Sequence, residues 1–406
     1  MENNLNTTKW YSLAGIWFGG IVSVPALLVG STLIASLSFN YSIWAGLIGF
    51  SFVVLFMSLL SIAAVEKRKA TVSLAASSFG ENGAKLIVGL VIGLSTLGWF
   101  GIQSNIAGAS FSKILVEMNG PEIPIWLSSV FWGSIMVLTA VFGFKYLKWL
   151  NYIAVPAIIV LLIYGLVITF QTHSFREILI FTPKEKMPLL QAIGFTIGFI
   201  SVGGVISPDY NRFAASKKDA ILGSIFGIIP SALCLLAIGA ILAITQGTYD
   251  IVTIFSSLGF PFLAMSILIL ATWTSNVINI YSSGLAFNNL FNRGNENRSK
   301  TTLIVGVFGI LLAALGVLSH FMSFISLLTI TITPIAGVMI SDYFISQTYK
   351  ENAQKINWKG IFSWMSGVIL MLSMTSEIKN IMGIISAAFV YFILQKINKE
   401  KHSKDE

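Results

Sequence analysis

The 406-residue chain is poor in charge, with one cysteine and three histidines. Asp, Glu, Lys and Arg together make up 10% of it, against about 25% in a soluble domain. Hydrophobic residues make up 55% and the mean hydropathy is +0.83. Such a chain cannot cover itself with polar side chains, so lipid must be part of its solvent. The lone Cys234 excludes an internal disulfide and reads as a small packing residue. His173, His320 and His402 have no metal-binding or nucleophile-activating neighbour at helical spacing. There is no HExxH, no CxxC and no glycine-rich phosphate loop, which leaves an intramembrane hydrolase without its parts. No catalytic residue and no cofactor is assigned. Ionisable groups are missing from the apolar runs too: Glu66, Asp209 and Asp342 fall only at their ends, where they cap helices or pair with Lys or Arg. A membrane site for a charged solute or a proton relay displays a buried ionisable side chain. The expected cargo is therefore uncharged, or its charge is handled by backbone dipoles.

What is present is a series of apolar spans, near 12–36, 42–65, 86–112, 125–144, 149–170, 188–208, 220–245, 257–289, 301–319, 322–346, 358–375 and 377–395. Crossing a bilayer takes about 20 residues, and the last two spans are near the short limit. Met1–Lys9 has no basic n-region and no small-residue cleavage site, so the first span is expected to be retained. With the N-terminus inside, 20 of the 25 Lys and Arg residues fall on the cytoplasmic side and 5 outside, namely Lys113, Arg176, Lys184, Lys186 and Lys379. This asymmetry predicts twelve spans in the cell (plasma or inner) membrane, with both termini cytoplasmic. It also accounts for the net charge of +8 without a nucleic-acid partner. No protein partner is inferred, and the tail after Ile397 is charged and expected to be disordered.

Two spans carry nearly the same odd sequence. One is Gly19-Gly20-Ile21-Val22-Ser23-Val24-Pro25 and the other Gly203-Gly204-Val205-Ile206-Ser207-Pro208. Adjacent glycines followed by proline weaken a helix where lipid offers no water to the freed backbone. A matched pair, one per half, predicts a transporter of two inverted repeats with its substrate site between them.

The polar groups within spans are amides, hydroxyls and aromatics. Trp99 and Gln103, four apart in the third span, share a helix face and offer a flat π surface beside an amide. They suit a planar heterocycle with hydrogen-bonding edges, or pack and bond between helices. In the eighth span Thr274 and Ser275 supply adjacent hydroxyl oxygens for a small cation such as Na+. Carbonyls of the broken first span, among them those of Val22 and Pro25, would complete the set. Asn276 and Asn279 address one cavity or bond between helices. The sixth span adds Phe195, Phe199 and Ser201 just before Gly203, and Phe199 or a neighbour could close the second face of a ring lying on Trp99. Thr329, Thr331 and Thr333 precede Pro334 and Gly337 as a small-residue hinge or a packing strip.

Four segments in order resemble the nucleobase:cation symporter-1 family, the cytosine, purine and hydantoin permease group. They are Gly98-Trp99-Phe100-Gly101, Pro208-Asp209-Tyr210-Asn211-Arg212-Phe213, Trp273-Thr274-Ser275-Asn276 with Tyr281-Ser282-Ser283-Gly284-Leu285, and Pro334-Ile335-Ala336-Gly337-Val338 with Ser341-Asp342-Tyr343. The resemblance implies an all-α polytopic membrane protein of twelve transmembrane helices, with a five-plus-five inverted repeat and discontinuous helices 1 and 6. The repeats would be 12–170 and 188–346, followed by two accessory helices at 358–395 and a tail at 397–406, within one domain. It implies that Trp99 stacks on the ring, that Gln103 binds its edge, that Phe199 or Ile200 is the second stacking position, and that Thr274 and Ser275 hold Na+. Val277 and Ile278 stand where cytosine permeases have further polar residues. Cytosine, other pyrimidines, purines and hydroxymethylpyrimidine all stay open as cargo. So do proton-coupled or facilitative carriage as alternatives to Na+ symport.

Overall fold

Apolar runs that must satisfy their own backbone in lipid form helices, and the computed structural model of this chain is helical throughout. It describes residues 7–142, 147–351, 353–374 and 379–402. The expectations for residues 1–6 and for the last four residues of the tail lie outside them; between Ile397 and His402, where disorder was expected, the last helix continues. The first half contains α1 (Trp10–Ile21), α2 (Val24–Ile34), α3 (Phe39–Lys67), α4 (Thr71–Phe79), α5 (Glu81–Ala84) and α6 (Leu90–Glu117). It continues with α7 (Ile125–Phe142), α8 (Leu147–Thr172) and α9 (Phe175–Ile180). The second half contains α10 (Leu189–Val205), α11 (Ser207–Asn211), α12 (Lys217–Gln246), α13 (Ile251–Ser256) and α14 (Pro261–Leu290). After these come α15 (Arg298–Ala314), α16 (Phe321–Ile340), α17 (Trp358–Ser373) and α18 (Lys379–His402).

Among the described residues nine helices are long and apolar enough to cross a membrane, or ten if the bent pair α1–α2 is one span. The two expected spans outside that number are α15, with 17 residues, and α17, with 16. At about 1.5 Å per residue they rise about 26 and 24 Å, short of the ~30 Å hydrocarbon core.

The helices pack as two main bodies. Helices α1, α2, α3, α10 and α12 lie on one another, and α6, α7, α14 and α15 form the second set. Helix α16 packs on α10 and also touches α6, and α17 and α18 flank it. Close approach of α2 to α12 depends on Gly30 and Gly239, because a Cβ on either would collide with the other helix's backbone, at Leu236 O or Leu27 O. This is the small-residue packing on which helices in lipid rely.

One end of the bundle collects the basic loops. Glu66 pairs with Lys217 and accepts from the Tyr343 hydroxyl. Arg68 Nη1 donates to Arg212 O at 2.7 Å and Ala214 O at 2.8 Å. Asp209 accepts from the Thr71 amide at 2.8 Å. Asp342 accepts from the hydroxyls of Tyr391 at 2.9 Å and Thr348 at 2.8 Å. The three carboxylates at span ends therefore serve as ties between elements. At the opposite end, Met187 N donates to Ser36 O at 3.1 Å.

The two glycine-proline segments differ. Helices α1 and α2 meet at 62°, with Val22 (φ −68°, ψ 84°) and extended Ser23 (φ −153°, ψ 161°) between them. The glycines themselves are helical, and the break falls between them and Pro25. In the sixth span only Ile206 (φ −81°, ψ 3°) interrupts the helix, and Leu189–Asn211 runs on as one span. Packing explains the difference. Gly204 lies so close to Phe56 and Val53 of α3 that a Cβ would clash. Ser207 Oγ adds a contact to Met57 O at 3.4 Å. Gly19 and Gly20 have no such neighbour within 4 Å of a Cβ position.

Candidate substrate and cation site

Counting along the helices places four features near the middles of their spans. Trp99 is the midpoint of Glu81–Glu117, Phe199 lies one residue from the midpoint of Leu189–Asn211, and Ser275 sits at the middle of Pro261–Leu290. The α1–α2 break at Val22 is the midpoint of Trp10–Ile34. The predicted ring platform, its aromatic partner, the hydroxyl pair and the sharp break thus lie half-way along their helices; transporters of inverted repeats bind their cargo near the bilayer midplane.

Trp99 is 8% exposed and sits in an aromatic cluster. Its ring centroid is 5.8 Å from Phe199, 6.0 Å from Phe321 and 5.3 Å from Phe324, all edge-to-face. Of the two alternatives in the sixth span, Phe199 is the residue whose ring meets Trp99. Two plates that sandwich a planar ring stand about 7 Å apart, twice a ~3.5 Å carbon contact. At 5.8 Å and an interplanar angle of 79°, Trp99 and Phe199 must part and turn before a ring can enter. Phe324 can lie against Trp99 because residue 98 is glycine, where a Cβ would run into the Phe324 ring. Phe195 meets Phe321 at 5.8 Å and extends the cluster toward the end away from the basic loops.

Gln103 is 3% exposed, and its Oε1 accepts a hydrogen bond from the Ser275 hydroxyl. Ser275 Oγ also lies 3.1 Å from Ala271 O and 3.3 Å from Thr272 O, and Thr274 Oγ1 donates to Ala271 O at 3.0 Å. A hydroxyl has one proton and two lone pairs. With the protons used on carbonyl oxygens, the lone pairs of both hydroxyls are the groups left for a cation. The donor set fits a hard ion as far as α14 supplies it. From the first span, Val22 lies in the break, at the C-terminal and partly negative end of α1. Pro25 instead lies in the first turn of α2, where a carbonyl becomes an intrahelical acceptor. Helix α2 touches α14.

The remaining predicted residues divide. Asn276 is fully buried, and its Nδ2 faces Phe100 O at 3.0 Å, Ser104 Oγ at 3.0 Å and Met136 Sδ at 3.1 Å. Its Oδ1 is 3.5 Å from Asn279 Nδ2. Asn276 thus ties α14 to α6 and α7, with both amide protons committed, while half-buried Asn279 lies beside it. Ser201 is buried and donates to Gly198 O at 2.8 Å. Gly203 faces Trp17, with ordinary contact distance to a Cβ at 3.7 Å. Asn276→Ala is expected to cost about 1–3 kcal/mol by leaving buried acceptors without a donor. It should lower the unfolding midpoint in detergent by several degrees and leave substrate affinity unchanged. A loss of affinity at unchanged stability would place Asn276 in the site.

Two groups were not legible in the sequence. Phe321 and Phe324 are two among thirty phenylalanines, although Gly98 next to Trp99 marks a close neighbour. Asn211 is the hub of a buried network: Trp17 Nε1 donates to its Oδ1 at 3.2 Å, and its Nδ2 donates to Ser61 Oγ at 2.7 Å and Ser224 Oγ at 3.0 Å. This ties α1, α3, α11 and α12 together between the mid-span site and the basic loops. A cleft of about 730 Å³ bordered by Asn105, Trp126 and Asp250, and a cavity of about 380 Å³ bordered by Leu86, Trp358 and Trp364, both lie away from Trp99 and Gln103.

Residues 1–394 match the family described as permease for cytosine/purines, uracil, thiamine and allantoin. The chain is 26% identical over 391 residues to the cytosine permease of Escherichia coli (strain K12), covering 93% of this chain and 88% of that protein. It is 26% identical over 383 residues to the hydantoin permease of Microbacterium maritypicum, with 88% and 77% covered. Among solved structures, the inward-facing conformation of Mhp1 superposes with a TM-score of 0.85 at 21% identity, covering 97% of this chain and 93% of Mhp1. Mhp1 in a closed conformation with bromovinylhydantoin bound, a nucleobase-cation-symport-1 family transporter, gives 0.80 at 20% identity, with 97% and 94% covered. The shared fold is the inverted-repeat transporter fold.

Proposed function

We propose that this chain, which belongs to the family of permeases for cytosine/purines, uracil, thiamine and allantoin, imports a neutral nucleobase or related small heterocycle by symport with Na+. Membership makes it a membrane transporter and not an enzyme. The relatives' names, cytosine and hydantoin permease, support a flat, uncharged, hydrogen-bonding cargo. In this reading the chain crosses the cell membrane twelve times, with α15 and α17 as short crossings and both termini in the cytoplasm. The first span is the sharply broken one, and the sixth is interrupted only at Ile206.

One observation carries the mechanism: the hydrogen bond from Ser275 to Gln103 Oε1. A cation on the Ser275 and Thr274 lone pairs polarises the Ser275 hydroxyl and strengthens its donation to Gln103. That bond fixes Oε1 on the side of α14 and turns the Gln103 amide N–H groups toward the ring edge. Trp99 and Phe199 supply the faces. The Val22 carbonyl oxygen in the α1 break adds a ligand from the first span, so the ion draws the two helix bodies together. Cation and ring then favour one another reciprocally, as linkage requires.

Binding of uncharged heterocycles to the purified protein, followed by the unfolding midpoint or by calorimetry, tests this. At least one pyrimidine, purine or hydantoin is expected to bind, and to bind more tightly in Na+ than in K+ at equal ionic strength. Equal affinity in both salts would remove Na+ from the mechanism.

A further inference from the structure

The cavity of about 380 Å³ lies outside the transport site, at the basic end of the bundle. Its walls are Asn82, Leu86, Leu90 and Val91 on one side and Trp358 and Trp364 on the other. From Asn82 to Val91 the wall rises about 14 Å along the helix, close to the ~15 Å hydrocarbon depth of one leaflet. Both walls are held in place. Glu81 N donates to Gln354 O at 2.9 Å, Asn82 N to Lys355 O at 2.8 Å and Asn357 N to Phe79 O at 2.8 Å, so the loop before α17 is stapled to the start of α5. Trp364 Nε1 donates to Thr331 O at 2.9 Å. One wall includes the π-helical turn Lys85–Gly89, which interrupts the α-helical register between α5 and α6. Leu86 is 52% and Trp358 60% exposed, so the cavity opens sideways.

Charge identifies the occupant. Lys85 lies three residues beyond the lining residue Asn82, and Lys355 adjoins the lining residue Ile356 and takes the Asn82 amide on its carbonyl; both are exposed beside this groove, as is Glu81. An apolar slot as deep as a leaflet, with cations at its inner end, suits a molecule with an acyl chain and an anionic head. We propose that this groove holds one acyl chain of an anionic phospholipid of the inner leaflet, with its phosphate against Lys85 and Lys355.

The test uses the full chain in nanodiscs of phosphatidylcholine with and without phosphatidylglycerol, with retained lipid counted by native mass spectrometry after extraction. The wild type is expected to retain phosphatidylglycerol preferentially and to unfold at a higher temperature when it is present. Lys85→Gln with Lys355→Gln should weaken that affinity about 30-fold, taking a near-surface lysine at its usual worth toward an anionic membrane. Leu86→Trp, which fills the groove without changing charge, should abolish retention while keeping the wild-type midpoint in pure phosphatidylcholine. Equal retention of both lipids, retention unchanged in both variants, or a second copy of the chain seated on this face would overturn the proposal.

Discussion

Trp99→Ala is expected to weaken heterocycle affinity by about 5- to 150-fold, the worth of 1–3 kcal/mol of base-to-aromatic stacking. Trp99 has three aromatic neighbours, and truncating a buried tryptophan also leaves a cavity costing about 3–5 kcal/mol. Trp99→Phe serves as the partner variant because it keeps a π face and most of the volume. It should recover stability fully and affinity in part. Direct binding to protein shown to be folded is the readout. If Trp99→Ala folds and binds the heterocycle as the parent does, the ring does not lie on Trp99. The edge-to-face angle of 79° to Phe199 adds a spectroscopic consequence. Ligand binding should change tryptophan fluorescence in the parent and in Phe199→Leu, and the change should be lost only when Trp99 is removed.

Thr274→Ala with Ser275→Ala is expected to abolish Na+ stimulation of binding and uptake. In the proposed site the two oxygens are adjacent ligands, and a hard cation binds by the number of oxygens it gathers. Ser275→Ala alone removes the donor to Gln103 as well as one cation ligand. Gln103→Leu leaves both hydroxyls in place and removes the amide. Gln103→Leu should therefore lose the ring and retain Na+-dependent stabilisation of the empty transporter, whereas Thr274→Ala should weaken the ion first and the ring only through it. Equal loss of both responses in every variant would point to a general packing defect. Unchanged Na+ stimulation in the double variant would place the ion elsewhere.

The long helices were legible because lipid imposes a simple rule: apolar runs of sufficient length must satisfy their own backbone. The weak points of the first and sixth spans were legible as well, since Gly-Gly followed by proline marks where a helix is weak. How weak was not. Pro25 follows two non-helical residues and a 62° bend, while Pro208 restarts the helix after Ile206 alone. The difference lies in Gly204 and Ser207 packing on α3, which is a fact about neighbours far apart in the chain. Trp99 and Gln103 could be paired by helical spacing, and Thr274 with Ser275 by adjacency. The bond between Ser275 and Gln103 spans 172 residues of sequence and has no local signature. Asn276 could be read either way from the sequence, as a cavity residue or as a tie between helices. Its Nδ2 group reaches Phe100 O and Ser104 Oγ of α6 and Met136 Sδ of α7, contacts with no local signature. Asn211, read only as part of a motif at a span exit, turns out to join four helices through Trp17, Ser61 and Ser224.

In the proposed mechanism a cation held by Thr274 and Ser275 drives the accumulation of a ring held by Trp99 and Gln103. Moving one Na+ through 100 mV supplies about 2.3 kcal/mol, enough for about a 50-fold gradient of a neutral solute before any Na+ concentration difference is counted. Uptake of a radiolabelled heterocycle that binds the protein, measured in proteoliposomes with an inward Na+ gradient and an inside-negative potential, addresses this directly. The account predicts accumulation well above the external concentration, collapsing to equilibration when Na+ is replaced by K+. Equal uptake with and without the Na+ gradient, or uptake that follows only an imposed proton gradient, would contradict it.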